Sequence, residues 1–227
     1  MTAPEPSDDR RPVLEVFADV GCPFTHVGLR RLVAAREQRG RPDVALRVRA
    51  WPLELVNGAP LDPSFIAEEV DDLRQQLVPD LFAGFRADRF PATSLPAFVL
   101  AADAYAVDLA TGEAVSLAVR DALFEEGLDV ADPAVLAAIA EAHGLPTAAA
   151  RSAADRHDDQ PGHAAGHPGP LADLAEGRRR GVIGSPHFFT PGGDFFCPAL
   201  DIARIDGHLR ITADPAGFDA FVAACFG

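Results

Sequence analysis

The segment Val13-Leu-Glu-Val-Phe-Ala-Asp-Val-Gly-Cys-Pro-Phe-Thr-His26 constrains the fold more than any other part of the chain. Val13, Leu14, Val16, Phe17, Ala18 and Val20 form a mostly apolar run of strand length, as expected of a strand covered on both faces. The run turns at Gly21 into Cys22-Pro23 and then into an amphipathic stretch. Pro23 suits the first helical position, where its missing N–H leaves nothing unpaired. Cys22 is thereby placed at the helix N-cap, facing free N–H groups and the positive end of the helix dipole. That setting is expected to lower a thiol pKa and favour the thiolate.

Read onward, the helix begun at Cys22 runs to about Gln38, with Val27, Leu29, Leu32 and Val33 apolar. Gly40–Asp43 is a turn, and Val44–Trp51 alternates as a strand with one polar face. From about residue 60 to 156 the signals are helical. Asp62-Pro63 and Asp132-Pro133 open helices, Ser94 caps another, and Thr111–Phe124 is strongly amphipathic. Pro146 to about Arg156 reads as a short helix, and residues 157–170 as a Gly/Pro loop holding His157, His163 and His167. Leu171–Arg180 is a helix ending in a solvated Arg178-Arg-Arg180 run. His187–Thr190 and Asp194–Cys197 form a hairpin around Pro191-Gly-Gly193, and Asp214–Phe226 is a closing helix.

The order strand, Cys-Pro-x-x, helix resembles the thioredoxin fold and, within it, the DsbA-like family. A second segment, Gly181-Val-Ile-Gly-Ser-Pro-His-Phe-Phe189, is similar to that family's Gly-Val-x-Gly-x-Pro-x-Phe segment, whose proline is cis and faces the catalytic cysteine. The two motifs lie roughly 160 residues apart in the expected order, and the resemblance covers roughly residues 13–226. It implies an α/β thioredoxin-like fold with an inserted all-α helical subdomain. Residues 1–12 would be a disordered tail, 13–59 and 157–227 the thioredoxin-like domain, and 60–156 the insert. The FrnE-like branch, related to the 2-hydroxychromene-2-carboxylate isomerases, is the nearest pattern.

The resemblance implies a thiol–disulfide oxidoreductase with Cys22 as nucleophile. Thr25 stands where dithiol members carry the second cysteine, so Cys-Pro-Phe-Thr is a monothiol variant. Thr25 offers a hydroxyl to the thiolate instead. A mixed disulfide on Cys22 would be released by an external low-molecular-weight thiol, such as glutathione, acting as co-substrate; no tightly bound cofactor is implied. Ser185 and Pro186 would face an extended thiol or disulfide substrate, with Pro23, Phe24 and His187 beside it. Phe24 is expected exposed; His26 would hold charge near the thiol or sit solvated on its helix.

Cys197 follows from sheet geometry. The hairpin returns it to the same end of the sheet as Cys22, one strand removed, at a backbone separation of roughly 10 Å. That is too far for a relaxed disulfide but within reach of a loop shift. Cys197 is therefore a resolving or substrate-lining thiol, or else structural. Cys225, on the apolar face of the last helix, and Trp51 belong to the core.

Three cysteines are too few and too scattered for a disulfide framework or a zinc site, and the loop histidines impose no metal geometry. With no apolar h-region near the start, the reducing cytoplasm is the expected compartment. A net charge of −14 opposes nucleic-acid and anionic-membrane partners. A thiol or disulfide, on a small molecule or a protein, is the expected partner; a homodimer is left open. Two other readings keep the fold. One is a kappa-class glutathione transferase or isomerase, although those carry serine at the Cys22 position and an Asn pair where Ala92-Thr-Ser94 stands. The other is a binding module that has lost catalysis.

Overall fold

In the computed structural model, which describes residues 11–146, 169–198, 200–206 and 208–227, strand β1 (Val13–Ala18) leads into helix α1 (Pro23–Gln38), which returns the chain to β2 (Ala45–Ala50). The two strands pair in parallel, Val16 opposite Val48. After a long helical excursion, β3 (His187–Thr190) pairs antiparallel with the free side of β1, and β4 (Gly193–Phe196) pairs with β3, giving the order β2-β1-β3-β4. The expected tail, the helix 146–156 and the histidine loop lie largely outside the described residues.

Alternation along β1 sends Val16 and Phe17 to opposite faces. Val16 joins Leu29, Leu32, Phe188 and Phe221, covered by α1 and by the closing helix α8 (Pro215–Phe226). Phe17 joins Trp51, Leu174 and Val182, covered by α7 (Pro170–Arg179). Each such side chain, once fully buried, contributes about 2 kcal/mol. Gly177 is a necessary residue of α7, because a Cβ there would lie 2.5 Å from the Trp51 ring.

A short α2 (Leu53–Asn57) precedes the insert, whose described helices are α3 (Pro63–Gln76), α4 (Leu95–Val107), α5 (Leu109–Phe124) and α6 (Pro133–Ala142). Asp62, Asp108 and Asp132 cap three of these helices by accepting first-turn N–H groups. A third core, including Phe82, Leu100, Val115, Leu123 and Leu136, fills the insert. The insert also seals the exposed edge of β2. Leu46 N–H donates to Glu113 (2.9 Å), Val48 N–H donates to the Tyr105 hydroxyl (2.8 Å), and that hydroxyl donates to the Leu46 carbonyl (3.1 Å). Asp173 of α7 accepts from Ala50 N–H at 3.0 Å. The edge thus has side-chain partners in place of a neighbouring strand.

One element departs from the sequence expectation. The stretch between the β3–β4 hairpin and α8 forms a second two-stranded sheet, β5 (Leu200–Ile205) and β6 (His208–Ala213). It belongs with the insert: Leu209 and Ile211 enter the helical core, Asp72 accepts Leu209 N–H, and Gln76 bonds Leu209 C=O and Ile211 N–H. A second correction concerns Arg180, read as solvated. It pairs with Glu15 at 2.6 Å and lies over the Phe189 ring.

Candidate active site

The chain leaves β1 at Ala18, and Cys22 takes an extended conformation (φ −84°, ψ 114°) as the N-cap of α1. Its carbonyl accepts from Thr25 N–H (3.1 Å) and His26 N–H (3.3 Å), and Pro23 occupies the first turn. The Ser185–Pro186 peptide bond is cis and stands against this helix start. Cys22 Sγ donates to the Ser185 carbonyl at 3.3 Å. The Thr25 and Ser185 hydroxyls bond each other at 2.8 Å, and Asp19 N–H donates to the Ser185 hydroxyl at 2.8 Å. Segments 163 residues apart are thereby locked together around one sulfur.

Cys22 is only 5% exposed. Burial is the strongest influence on its thiol and pushes its pKa above the ordinary range, while Thr25 and Ser185 hydrogen bonds work to lower it. At this N-cap burial outweighs those bonds, so the thiol pKa is shifted up where the sequence led one to expect it lowered. Glu69 of α3 adds to the rise with its negative charge, and burial pushes its own carboxyl up to about 7.

Two buried charges behind the cysteine escaped the sequence reading. Asp19 is 1% exposed, and its carboxylate accepts from Gly21 N–H (2.6 Å) and Leu53 N–H (2.7 Å). Burial pushes this carboxyl up to about 6 despite those bonds and the charge of Arg120. Arg120 of α5, 3% exposed, donates to the Ser116 and Asp19 carbonyls at 2.7 and 3.3 Å. Burial lowers its pKa to about 10, against the charges of Asp19, Tyr105 and Cys22. A helical-insert cation thus bonds the backbone of Asp19, three residues before the cysteine. The place of Arg120 between Val119 and Ala122-Leu123 carried no clear signal, because Asp121 beside it makes the turn read as charged.

The remaining expected site residues separate into two groups. Thr25, Ser185, Pro186 and Cys197 converge on Cys22. Pro23 is buried, and Phe24 is half-buried against the helical core, not exposed as expected. His187 points away: its Nδ1 accepts Ile183 N–H (3.3 Å), its Nε2 bonds Asp194 (3.0 Å), and it stacks on Phe189. Strand alternation explains this, since Phe188 takes the α1 side and His187 must take the other. His26, 1% exposed, is neither solvated nor beside the thiol. It bonds Glu125 at 2.7 Å between the Phe82 and Phe124 rings, and Glu125 is held down to about 2 by His26 and two backbone N–H groups, overcoming its burial. Cys225 is core, its thiol pushed up to about 12 by burial. Among the described residues no cluster could hold a metal ion, and no helix is long and apolar enough to cross a membrane.

Beside Pro186 and Cys197 lies a shallow groove walled by Phe24, Leu200, Phe218 and Arg31. The Arg31 guanidinium lies 4.3 Å over the Phe218 ring, and it has no carboxylate partner among the described residues.

Sheet order, cysteine at a helix start and facing proline turn together define a thioredoxin-fold protein with a helical insert. The chain belongs to the family of the DSBA-like thioredoxin domain, whose model matches residues 13–210. Among solved structures it is similar to the cytosolic disulfide reductase DsbM from Pseudomonas aeruginosa (18% identity, TM-score 0.61, covering 93% of this chain and 95% of that one). DsbM with GSH matches with TM-score 0.57 at 18% identity, over 93% and 96% of the two chains. A 2-hydroxychromene-2-carboxylate isomerase matches with TM-score 0.55 at 17% identity, over 81% and 88%. At these identities the likeness is one of fold. No curated protein sequence matches the chain significantly.

Proposed function

We propose that the protein is a thiol–disulfide oxidoreductase working through Cys22 as a single nucleophile and turned over by a low-molecular-weight thiol. The observation that carries this is Cys22 at the α1 N-cap, bonded to the carbonyl that precedes cis-Pro186. With the site as it stands, burial pushes the Cys22 thiol pKa up. Once a substrate disulfide opens the site, the helix N-terminus, the Thr25 hydroxyl and the Arg120 charge favour the thiolate. The thiolate attacks one sulfur of the disulfide, forming a mixed disulfide and expelling the other half as its thiolate. A low-molecular-weight thiolate then attacks the substrate sulfur of that mixed disulfide, and Cys22 leaves as thiolate. The DsbM structure with GSH makes glutathione the first co-substrate to try, and the description of DsbM as cytosolic fits a cytoplasmic role.

Arg31 supports an anionic co-substrate: it is a half-buried cation in the groove beside Cys197 and Pro186, placed to meet a carboxylate. The test is reduction of hydroxyethyl disulfide by glutathione. Wild-type protein is expected to turn over, and Arg31→Met to raise the KM for glutathione about tenfold with kcat little changed, the cost of one charged hydrogen bond. An unchanged KM removes Arg31 from the site. No turnover by the wild type overturns the oxidoreductase reading.

A further inference from the structure

The Cys197 thiol donates to the Ser185 carbonyl at 3.8 Å, the same oxygen that Cys22 Sγ reaches at 3.3 Å. The two sulfurs can therefore be no farther apart than those two distances together, with no side chain needed to bridge them. Cys197 lies immediately beyond the end of β4, the edge strand of the sheet, and its N–H donates to the Pro186 carbonyl at 3.0 Å. Its backbone is in the left-handed region, φ 42°, which costs a cysteine on the order of 1 kcal/mol and glycine very little.

From these positions the geometry points to Cys197 as the resolving cysteine of this site, forming a disulfide with Cys22 across the Ser185–Pro186 turn in place of the missing Cys-x-x-Cys partner. The inference rests on the proposed oxidoreductase reading and replaces its single-thiol release step with an internal one. Cys22 thiolate attacks a substrate disulfide, one substrate half leaves as thiolate, and a mixed disulfide forms. The Cys197 thiolate, after losing its proton to solvent, attacks Cys22 Sγ; the second substrate half leaves as thiolate and the Cys22–Cys197 bond forms. Two electrons have then passed from the protein to the substrate. Two low-molecular-weight thiols restore the dithiol and leave as their disulfide. Burial and the neighbouring negative charges of Cys22 and Glu69 raise the Cys197 thiol pKa, which suits a second attacker that acts only after Cys22 has been capped. Closing to an S–S bond of about 2.05 Å requires a side-chain rotation and a shift of the chain just past β4. An edge strand's end can move in this way without breaking the sheet.

The test is reaction of the reduced full chain with excess hydroxyethyl disulfide, acid quenching, thiol counting and non-reducing peptide mapping, in wild type, Cys197→Ser and Cys197→Gly. Glycine relieves the positive φ, so that variant guards against misfolding. The expected wild-type product is a Cys22–Cys197 linked peptide with two mercaptoethanol thiols released per chain. Both variants are expected to stop at a Cys22 mixed disulfide with one thiol released. A stable Cys22 mixed disulfide in the wild type, with one thiol released, overturns this inference and leaves the single-cysteine mechanism standing. No modification at Cys22 in any of the three proteins overturns both.

Discussion

Cys22→Ser should abolish glutathione-dependent disulfide reduction, by three orders of magnitude or more, the scale on which removal of a covalent nucleophile acts. The fold should survive. Serine is among the preferred N-cap residues, and its hydroxyl can donate to the Ser185 carbonyl as the thiol does. Stability within about 1 kcal/mol of wild type, measured by urea unfolding, is therefore expected alongside the lost turnover. Cys197 is not expected to substitute, because it is reached through the same carbonyl but lacks a helix N-terminus. The experiment also separates the oxidoreductase from the transferase or isomerase reading, in which the catalytic thiol belongs to bound glutathione and the serine variant stays active. Retained disulfide reduction in Cys22→Ser would contradict the proposed function.

The second large effect is expected at Arg120. Arg120→Met removes the buried guanidinium that bonds the Ser116 and Asp19 carbonyls and whose charge favours the Asp19 carboxylate, and losing those two charged hydrogen bonds costs about 3 kcal/mol. In a domain of this size that is a fall in Tm of roughly 10 °C. The loss should depend on pH. The Asp19 carboxyl titrates at about 6 in the folded protein against an ordinary 3.8. Between those values the folded state holds a proton that the unfolded state releases. The contribution of Asp19 is thus fully present below about pH 4 and is lost as pH rises through 6, on the order of 3 kcal/mol in all. Arg120 softens that loss by favouring the charged form. The variant should be closest to wild type at pH 5 and farthest from it at pH 8, as read from urea unfolding at the two values. Equal losses at both would show that Arg120 does not offset the Asp19 charge.

Such buried charges mark the limit of what could be read from the chain alone. The β1–Cys22–α1 unit was legible because its signals are local: an apolar run, a turn glycine, a proline suited to the first helical turn. The Ser185-Pro186 turn was legible through its resemblance to a family segment, and the position of Cys197 at the shared sheet end followed from hairpin geometry. The β5–β6 hairpin was not legible. Its strands expose most of their residues, and Leu209 and Ile211 are apolar for the sake of α3, more than 130 residues earlier. Arg120 was passed over and His26 misread for a related reason. Each looks like a solvent-facing polar residue on its own helix, and only the packing of the insert against α1 buries it. His187 was the avoidable error, since strict alternation along β3 places it opposite Phe188.

The most direct measurement is to mix reduced Cys197→Ser protein with glutathione disulfide, quench with acid at intervals, and locate the adduct by peptide mapping. The expected result is a glutathionyl adduct confined to Cys22 that forms in the native protein and is discharged by excess reduced glutathione, regenerating the free thiol. A Cys22 that stays unmodified until the protein is unfolded, or an adduct that reduced glutathione does not remove, would contradict Cys22 as the redox nucleophile.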